Sequence, residues 1–258
     1  MPQTKIVFFD IDGTLIDMQA KKITPKMLET LHRLQNRGIK ICIATGRSPM
    51  VLPKIDGVAF DAYLTFNGSL CYDRKGVIFS NPIPHKDVVR FIQNAAALGR
   101  PVCVSTRDRL AANGADTDLT DYFFIANEPV PVADDFDAVC AEDIYQLMLG
   151  CRPKDYPALL DGAPGAKIAA WWDRAVDVIP ASGGKGIGIE KMLAYYGLDK
   201  AEALAFGDGN NDREMLQAVG TGVAMENGSP ELKAIADEIC GPVYEDGIYH
   251  YCADKGLI

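Results

Sequence analysis

Near the N-terminus the sequence reads Ile6-Val7-Phe8-Phe9-Asp10-Ile11-Asp12-Gly13-Thr14. A short apolar run that ends at a polar turn is typical of a strand buried in a parallel sheet. In open α/β sheets, ligands bind at the carboxyl ends of such strands. The sequence therefore predicts a strand that delivers Asp10 and Asp12 to a functional site.

The same pattern recurs along the chain, because the apolar runs 39–44, 62–66 and 203–206 also end at polar or glycine-rich turns. A helix is predicted between the first two strands, and a strand, a helix and a strand in succession imply a right-handed crossover. Its features are an N-cap, a proline in the first turn, an apolar stripe and a terminating glycine: Thr24, Pro25, Leu28, Leu31, Leu34 and Gly38.

The C-terminal part repeats this alternation. Helices are predicted over 186–196 and 213–219, strands over 203–207 and 221–225, and a further short helix after Ser229 and Pro230. Both ends of the chain therefore predict one α/β core with a Rossmann-like, doubly wound and mostly parallel sheet.

The middle of the chain has a different pattern. Strand-like runs at 102–106, 144–149, 166–172 and 175–179 cluster around helical stretches at 88–98 and from 156 onward. This order favours an inserted α+β module. The predicted domains are a discontinuous core of residues 1–81 and 181–258 and a cap of residues 82–180.

Two clusters of carboxylates predict a metal site. Asp10 and Asp12 leave the same face of a strand and would repel each other unless positive charge lies between them. A second acidic turn, Gly207 to Asp212, also follows an apolar strand. Oxygen-rich clusters without histidine suit Mg²⁺, and His32, His85 and His250 lie too far away in sequence to indicate zinc.

With Thr45-Gly46-Arg47, Lys185 and Met215, these segments resemble the four ordered motifs of the haloacid dehalogenase superfamily. More narrowly, the chain is similar to the Cof-type phosphatases, in which a cap of the C2 type is inserted between the second and third motifs. Asn67-Gly68 after the third strand also fits this group. The resemblance covers nearly the whole chain, and its motifs are specific in the core but not in the cap.

The resemblance implies roles for individual residues. Asp10 would be the nucleophile, and Asp12 the acid that protonates the leaving oxygen and later the base for water. Mg²⁺ would be held by Asp10, the backbone carbonyl of Asp12 and Asp208, with Asp212 orienting this shell or the lysine. The substrate-binding residues would be Thr45, Gly46, Arg47, Asn67, Lys185 and Asn211, although Arg47 could equally support its loop.

The implied activity is Mg²⁺-dependent hydrolysis of a small phosphorylated metabolite, such as a sugar phosphate, through an aspartyl phosphate. Two alternatives stay open at this point. A phosphomutase or phosphotransferase would pass the same phosphoryl group to an acceptor, and a non-catalytic phosphosugar-binding protein would bind without turnover. Trp171, Trp172 and Asp173, with Arg107 and Asp108, are weaker cap candidates, because strand-end aromatics usually fill a core.

Composition excludes several other classes. The net charge of −9 disfavours nucleic acid as a partner. No run of apolar residues is long enough to span a membrane, and nothing predicts an obligate protein partner. Seven cysteines without C-x-x-C spacing favour free thiols in a cytoplasmic protein, so two N-x-S matches beginning at Asn67 and Asn227 are read as chance.

Overall fold

The computed structural model describes residues 3–125, 127–170 and 172–258. The chain divides into two units. The core unit comprises Met1–Arg47, Pro53–Ser80 and Gly184–Ile258, and the inserted unit comprises Ser48–Leu52 and Asn81–Gly183.

The first part of the chain contains five strands and one helix within the described residues: β1 (Ile6–Phe9), α1 (Pro25–Asn36), β2 (Lys40–Ala44), β3 (Ala62–Thr65), β4 (Leu70–Asp73) and β5 (Gly76–Ser80). Thr24 caps α1 as predicted, because its side chain accepts a hydrogen bond of 3.1 Å from the Met27 amide. The buried stripe differs from the predicted one: Met27 is buried, whereas Leu28 is only half-buried. Spacings of four and three residues join Met27 to Leu31 and Leu34 on one face, and Leu28 lies at its margin.

The middle of the chain continues with α2 (His85–Ala97), β6 (Cys103–Ser105), β7 (Leu110–Ala112), α3 (Thr117–Phe124), α4 (Phe136–Val139), β8 (Gln146–Gly150), α5 (Tyr156–Leu160), β9 (Ala166–Ala169) and β10 (Ala175–Pro180). The last part contains α6 (Lys185–Tyr196), β11 (Ala203–Gly207), α7 (Arg213–Ala218), β12 (Thr221–Met225), α8 (Pro230–Lys233), β13 (Glu238–Cys240) and α9 (Gly247–Asp254).

The core unit is built on a sheet of eight described strands in the order β13-β12-β11-β1-β2-β3-β4-β5. The six strands from β13 to β3 pair in parallel, and β4 and β5 add an antiparallel edge. Apolar side chains of β1, β2, β3 and β11 pack against α6 and α7 in one buried cluster. Burial of these strands explains their almost unbroken apolar sequences.

The inserted unit contains an antiparallel sheet, and its described strands run in the order β7-β6-β8-β10-β9. Alternate residues of β8 point to opposite faces. Leu147 and Leu149 pack with α2, α4 and α5, whereas Met148 packs with Leu119 and Phe123 of α3. The predicted fold class, a mostly parallel α/β core with an inserted α+β cap, is confirmed.

Within the described part of the chain, none of the helices has both the length and the apolar character that crossing a membrane requires. All seven cysteines lie in that part, and each is a buried free thiol.

Candidate active site

The two acidic segments meet because their strands are neighbours. β1 and β11 pair in parallel with Phe9 opposite Phe206, and the ladder continues to Asp10, whose amide donates to the Phe206 carbonyl at 3.0 Å. The carboxyl ends of both strands therefore lie at one edge of the sheet. This register brings Asp10 and Asp208, from opposite ends of the sequence, to the same site.

Lys185 is the first residue of α6, and its side chain is fully buried. Its Nζ donates to Asp10 Oδ1 at 2.7 Å and to Asp212 Oδ1 at 2.5 Å. The backbone just before α6 packs closely on the third-strand turn, because a Cβ on Gly68 would lie 2.3 Å from the Gly184 carbonyl oxygen. The Lys185 ammonium group thus lies between two carboxylates.

Asp10, Asp208 and Asp212 form a cluster in which one carboxylate oxygen of each lies within 4.8 Å of the others. Burial, aided by the charges of Asp212 and Asp208, raises the pKa of Asp10 well above its ordinary value, although Lys185 opposes the shift. Burial and Asp212 likewise raise the pKa of Asp208 to about 7. The pKa of Lys185 is also raised, because Asp10 and Asp212 together outweigh the effect of burial. One buried cation therefore leaves the cluster short of positive charge.

Asp212 also organises the turn that carries it. Its Oδ2 accepts hydrogen bonds from the backbone amides of Asp208, at 3.0 Å, and Gly209, at 2.9 Å. Its Oδ1 accepts from Lys185. Asp212 thus contacts both the backbone of the acidic turn and the ammonium group of Lys185.

Asp12 has a cationic partner of its own. Arg47 donates to both Asp12 oxygens, from Nε at 2.8 Å and from Nη2 at 2.7 Å. This pair raises the pKa of Arg47 above its ordinary value. Lys185 and Arg47 are thus the side-chain cations that contact Asp10 and Asp12, respectively.

Thr45, Asn67 and Asn211 form a polar group next to the second acidic turn. The Thr45 hydroxyl oxygen accepts from the Arg47 amide at 3.1 Å, and the Thr45 carbonyl accepts from the Asn67 amide at 3.0 Å. Asn211 Nδ2 donates to Asn67 Oδ1 at 3.1 Å. A Cβ on Gly46 would lie 3.1 Å from Asn67 Nδ2, so the glycine lets the Asn67 side chain lie against its backbone.

The structure also contains contacts that sequence reasoning missed. The Thr14 hydroxyl donates to Asp208 Oδ1 at 3.2 Å. Asn227 Nδ2 donates to the Gly13 carbonyl at 2.8 Å. The spacing of 214 residues between these partners leaves no local signal that could have found them.

The described residues among the weaker cap candidates belong to the inserted unit. The side chains of Arg107 and Asp108 are exposed, and Arg107 Nε lies 3.9 Å from Asp108 Oδ1. Such exposure is usual for charged residues in turns. Trp172 is half-buried under the guanidinium of Arg174, 4.3 Å from the ring centre, and the Asp173 side chain is exposed. Trp171 lies outside the described residues.

Comparison with known proteins gives one consistent result. The model of the haloacid dehalogenase-like hydrolases matches residues 7–252. YkrA of Bacillus subtilis strain 168, named a putative phosphatase, is 35% identical over 257 residues, which are 99% of each chain. YitU of the same strain, named a 5-amino-6-(5-phospho-D-ribitylamino)uracil phosphatase, is 27% identical over 95% of each chain. The solved structure of the subclass IIB sugar phosphatase BT4131 is similar with a TM-score of 0.88 at 28% identity, covering 99% of this chain and 100% of that one.

Proposed function

The chain belongs to the haloacid dehalogenase-like hydrolases and is a phosphatase, and from this premise we propose that it hydrolyses a small phosphorylated metabolite through an aspartyl phosphate on Asp10. The observation that carries the proposal is the placement of Asp10. Asp10 is buried at a strand end, accepts a hydrogen bond from Lys185 and forms a cluster with Asp208 and Asp212. A sugar phosphate is the substrate class we favour, because the similar protein BT4131 is a sugar phosphatase.

The residues present fit a divalent cation. Asp10, Asp208 and Asp212 offer oxygen ligands close enough together to bind one ion, and hard oxygen donors suit Mg²⁺. Burial raises the pKa of both Asp10 and Asp208, and a bound cation would favour their charged forms. We propose that Asp10, Asp208 and the Asp12 carbonyl hold Mg²⁺, with Asp212 supporting them. When bound, the ion would offset negative charge on the phosphoryl oxygens.

Asp10 and Asp12 would carry the covalent chemistry. In the first step a carboxylate oxygen of Asp10 attacks phosphorus, the bond from phosphorus to the leaving oxygen breaks, and Asp12 gives that oxygen a proton. In the second step Asp12 takes a proton from water, the water oxygen attacks phosphorus, and the bond to Asp10 breaks. Covalent capture divides a difficult reaction into two easier ones.

Other side chains would bind the transferred group. Thr45, Lys185 and Asn211, with the Gly46 backbone, would hold phosphoryl oxygens, and Asn67 would position Asn211 through their hydrogen bond. General acid catalysis supplies only about 10²- to 10⁴-fold, whereas uncatalysed phosphate monoester hydrolysis can require up to ~10²¹-fold acceleration. Stabilisation of the charged transition state by these groups must therefore provide much of the difference.

Arg47 makes its clearest contact with Asp12, not with an open phosphate site. Its two hydrogen bonds define the orientation of the Asp12 carboxylate. We assign Arg47 to substrate binding only in this indirect sense, as the residue that aims the proton donor at the leaving oxygen.

The inserted unit is proposed to select the leaving group. Its sheet buries several polar groups: the Tyr122 hydroxyl donates to Asp177 Oδ1 at 2.7 Å, and Gln146 is 5% exposed. Gln146 Oε1 has no hydrogen-bond partner among the described residues. Buried polar atoms without partners are uncommon and call for an explanation. A sugar hydroxyl would supply the missing donor.

A cytoplasmic location is supported by the seven free thiols, since disulfides are rare in reducing compartments. The net charge of −9 gives no support to nucleic acid as a partner.

The experiment that tests the function measures inorganic phosphate release from a panel of sugar phosphates, with Mg²⁺ and with chelator. We expect release by the unmodified chain in Mg²⁺, none in chelator, and none by Asp10→Asn. Asp56→Asn, the same change at an exposed loop position, serves as the control and should retain activity. Mass spectrometry of the enzyme quenched during turnover should locate the phosphoryl group on Asp10.

Two results would contradict the proposal. Phosphate that appears on an added sugar acceptor, without release, would favour a phosphotransferase or phosphomutase. Activity of Asp10→Asn equal to that of the unmodified chain would exclude Asp10 as the nucleophile. Preferred release from a substrate like that of YitU would keep the mechanism and change the substrate class.

A further inference from the structure

The turn of Asn227, Gly228 and Ser229, which follows β12, contacts both acidic loops of the core unit. The Asn227 side chain donates to the Gly13 carbonyl at 2.8 Å, and the Ser229 amide donates to the Asp208 carbonyl at 2.8 Å. Gly228 lies against the second loop so closely that a Cβ there would sit 2.9 Å from the Asp208 carbonyl oxygen. This turn contains no carboxylate, yet it supports the two loops that carry the carboxylates of the cluster.

Asn227 is held at both ends of its amide. Its Nδ2 donates to Gly13, and its Oδ1 accepts from the Val243 amide at 2.9 Å. A carbonyl can only accept and an amide N–H can only donate, so these two partners determine the orientation of the side chain. Asn227 is exposed and carries no packing role in a buried cluster. Its contacts are thus with backbone that positions the site.

The Gly13 carbonyl matters because the next atoms of that loop touch Asp208. The Thr14 hydroxyl donates to Asp208 Oδ1 at 3.2 Å. Gly13 has a φ of +81°, and a Cβ on it would lie 2.1 Å from Asp208 Oδ2. The Asp208 carboxylate therefore rests directly on Gly13 and Thr14, and any movement of this loop moves the carboxylate.

We propose that Asn227 is a positioning residue that maintains the spacing of the two acidic loops and thereby the affinity of the cluster for a divalent cation. The inference rests on the proposed function, because it concerns the same Asp10, Asp208 and Asp212 cluster. Asn227 acts through Gly13 and does not touch substrate. Outer hydrogen bonds that orient metal ligands commonly contribute about 10- to 100-fold in metal affinity or activity.

Two variants separate positioning from simple electrostatics. Asn227→Ala removes both hydrogen bonds. Asn227→Asp keeps an acceptor for the Val243 amide but loses the donor to the Gly13 carbonyl, and it adds negative charge near the acidic cluster. Charge alone would tighten cation binding in Asn227→Asp, whereas loss of positioning weakens it. The sign of the change therefore distinguishes the two explanations.

The test measures Mn²⁺ binding directly, by the loss of the free-ion electron paramagnetic resonance signal as protein is added. We expect the dissociation constant for Mn²⁺ to rise about tenfold in both Asn227 variants. Phosphatase activity at saturating Mg²⁺ should stay within about threefold of the unmodified chain. Gln35→Ala is the matched control, because Gln35 is also an amide side chain that donates to a distant backbone carbonyl, that of Ala59 at 2.7 Å. It should leave Mn²⁺ binding unchanged.

Each outcome has a defined meaning. Unchanged Mn²⁺ affinity in Asn227→Ala, or a lowered melting temperature with unchanged affinity, overturns the positioning role and leaves the proposed function intact. Tighter binding in Asn227→Asp overturns it as well. If the unmodified chain and Asp208→Asn both fail to bind Mn²⁺, the metal site itself fails, and the inference fails with it.

Discussion

At the scale of single residues, the site depends on close approaches that only glycine allows. Gly13 has a positive φ and lies where any side chain would overlap the Asp208 carboxylate. Such a conformation costs a residue with a Cβ about 1–2 kcal/mol, apart from any clash. Gly38 has a similar φ of +75° but open space around it. Substitution at Gly38 therefore reports the effect of backbone strain alone, whereas substitution at Gly13 adds the overlap with Asp208.

We predict that Gly13→Ala and Gly38→Ala each lower the free energy of unfolding by about 1–2 kcal/mol through backbone strain. Only Gly13→Ala should lower kcat/KM, by about 10-fold or more, because its Cβ displaces Asp208. Urea unfolding and steady-state kinetics on both variants check this. Equal loss of activity in Gly38→Ala would mean that destabilisation, and not displacement of Asp208, is responsible.

At the scale of elements, α3 is tied to the strands of the inserted unit by charge as well as by apolar packing. Asp118, in its first turn, lies 3.1 Å from both Arg100 Nη1 and Arg152 Nη1, and a second bond from Arg152 makes the latter contact bidentate. The hydrogen bond from Arg152 is the main cause that lowers the pKa of Asp118 below its ordinary value of 3.8. This carboxylate is only 13% exposed.

The sign of the pH effect follows from this shift. The pKa of Asp118 is lower in the folded chain than in the unfolded chain, so the unfolded chain binds more protons at acid pH. The contribution of Asp118 to the free energy of unfolding is therefore complete above pH 3.8. It is lost as the pH falls through the folded-state pKa. We predict that Asp118→Asn lowers the free energy of unfolding by ~1–3 kcal/mol at pH 7. The gap to the unmodified chain should close below about pH 3.8.

Denaturant titrations at several pH values test this prediction. Asp173→Asn is the control, because that side chain is 81% exposed. It should change stability by less than about 0.5 kcal/mol at any pH. A gap for Asp118→Asn that is as wide at pH 3 as at pH 7 would contradict the assignment.

At the scale of the whole molecule, two units divide the work that the proposal requires. The core unit holds the reacting carboxylates and Lys185, and the inserted unit carries the buried polar group of Tyr122, Gln146 and Asp177. If the second unit selects the leaving group, changing its polar residues should alter substrate preference without altering the chemistry.

We predict that Gln146→Leu changes the ratio of kcat/KM between two sugar phosphates by about tenfold, roughly 1.4 kcal/mol of discrimination. Hydrolysis of an aryl phosphate without sugar hydroxyls should stay within about threefold. Gln146→Leu also removes the side-chain hydrogen bond between Gln146 and Tyr122, so the free energy of unfolding should fall by about 0.5–1.5 kcal/mol. Met148→Leu, on the same face of β8, is the volume-conserving control. Identical ratios in Gln146→Leu and the unmodified chain would exclude Gln146 from selection.

The sequence alone was sufficient for what depends on local pattern. Apolar runs predicted β1, β2, β3, β11 and β12, and capping residues predicted α1 and α8, because burial and helix ends leave their signals within a few neighbouring residues. The position of Asp10, Thr45 and Asp208 after predicted strands also identified them as candidate site residues. The strands β4, β5, β7 and β13 were not predicted, because none of them has the unbroken apolar run of a buried central strand.

Tertiary structure alone decided which charged groups meet. Lys185 donates hydrogen bonds to Asp10 and Asp212, Arg47 pairs with Asp12, and Asn227 reaches Gly13. These contacts depend on the parallel pairing of β1 with β2 and β11, and of β11 with β12, and on glycines that let backbones approach. These partners lie between 27 and 214 residues apart. Hydrogen bonds and ion pairs act over a few ångströms, so no local pattern in the chain encodes them until the strands have paired.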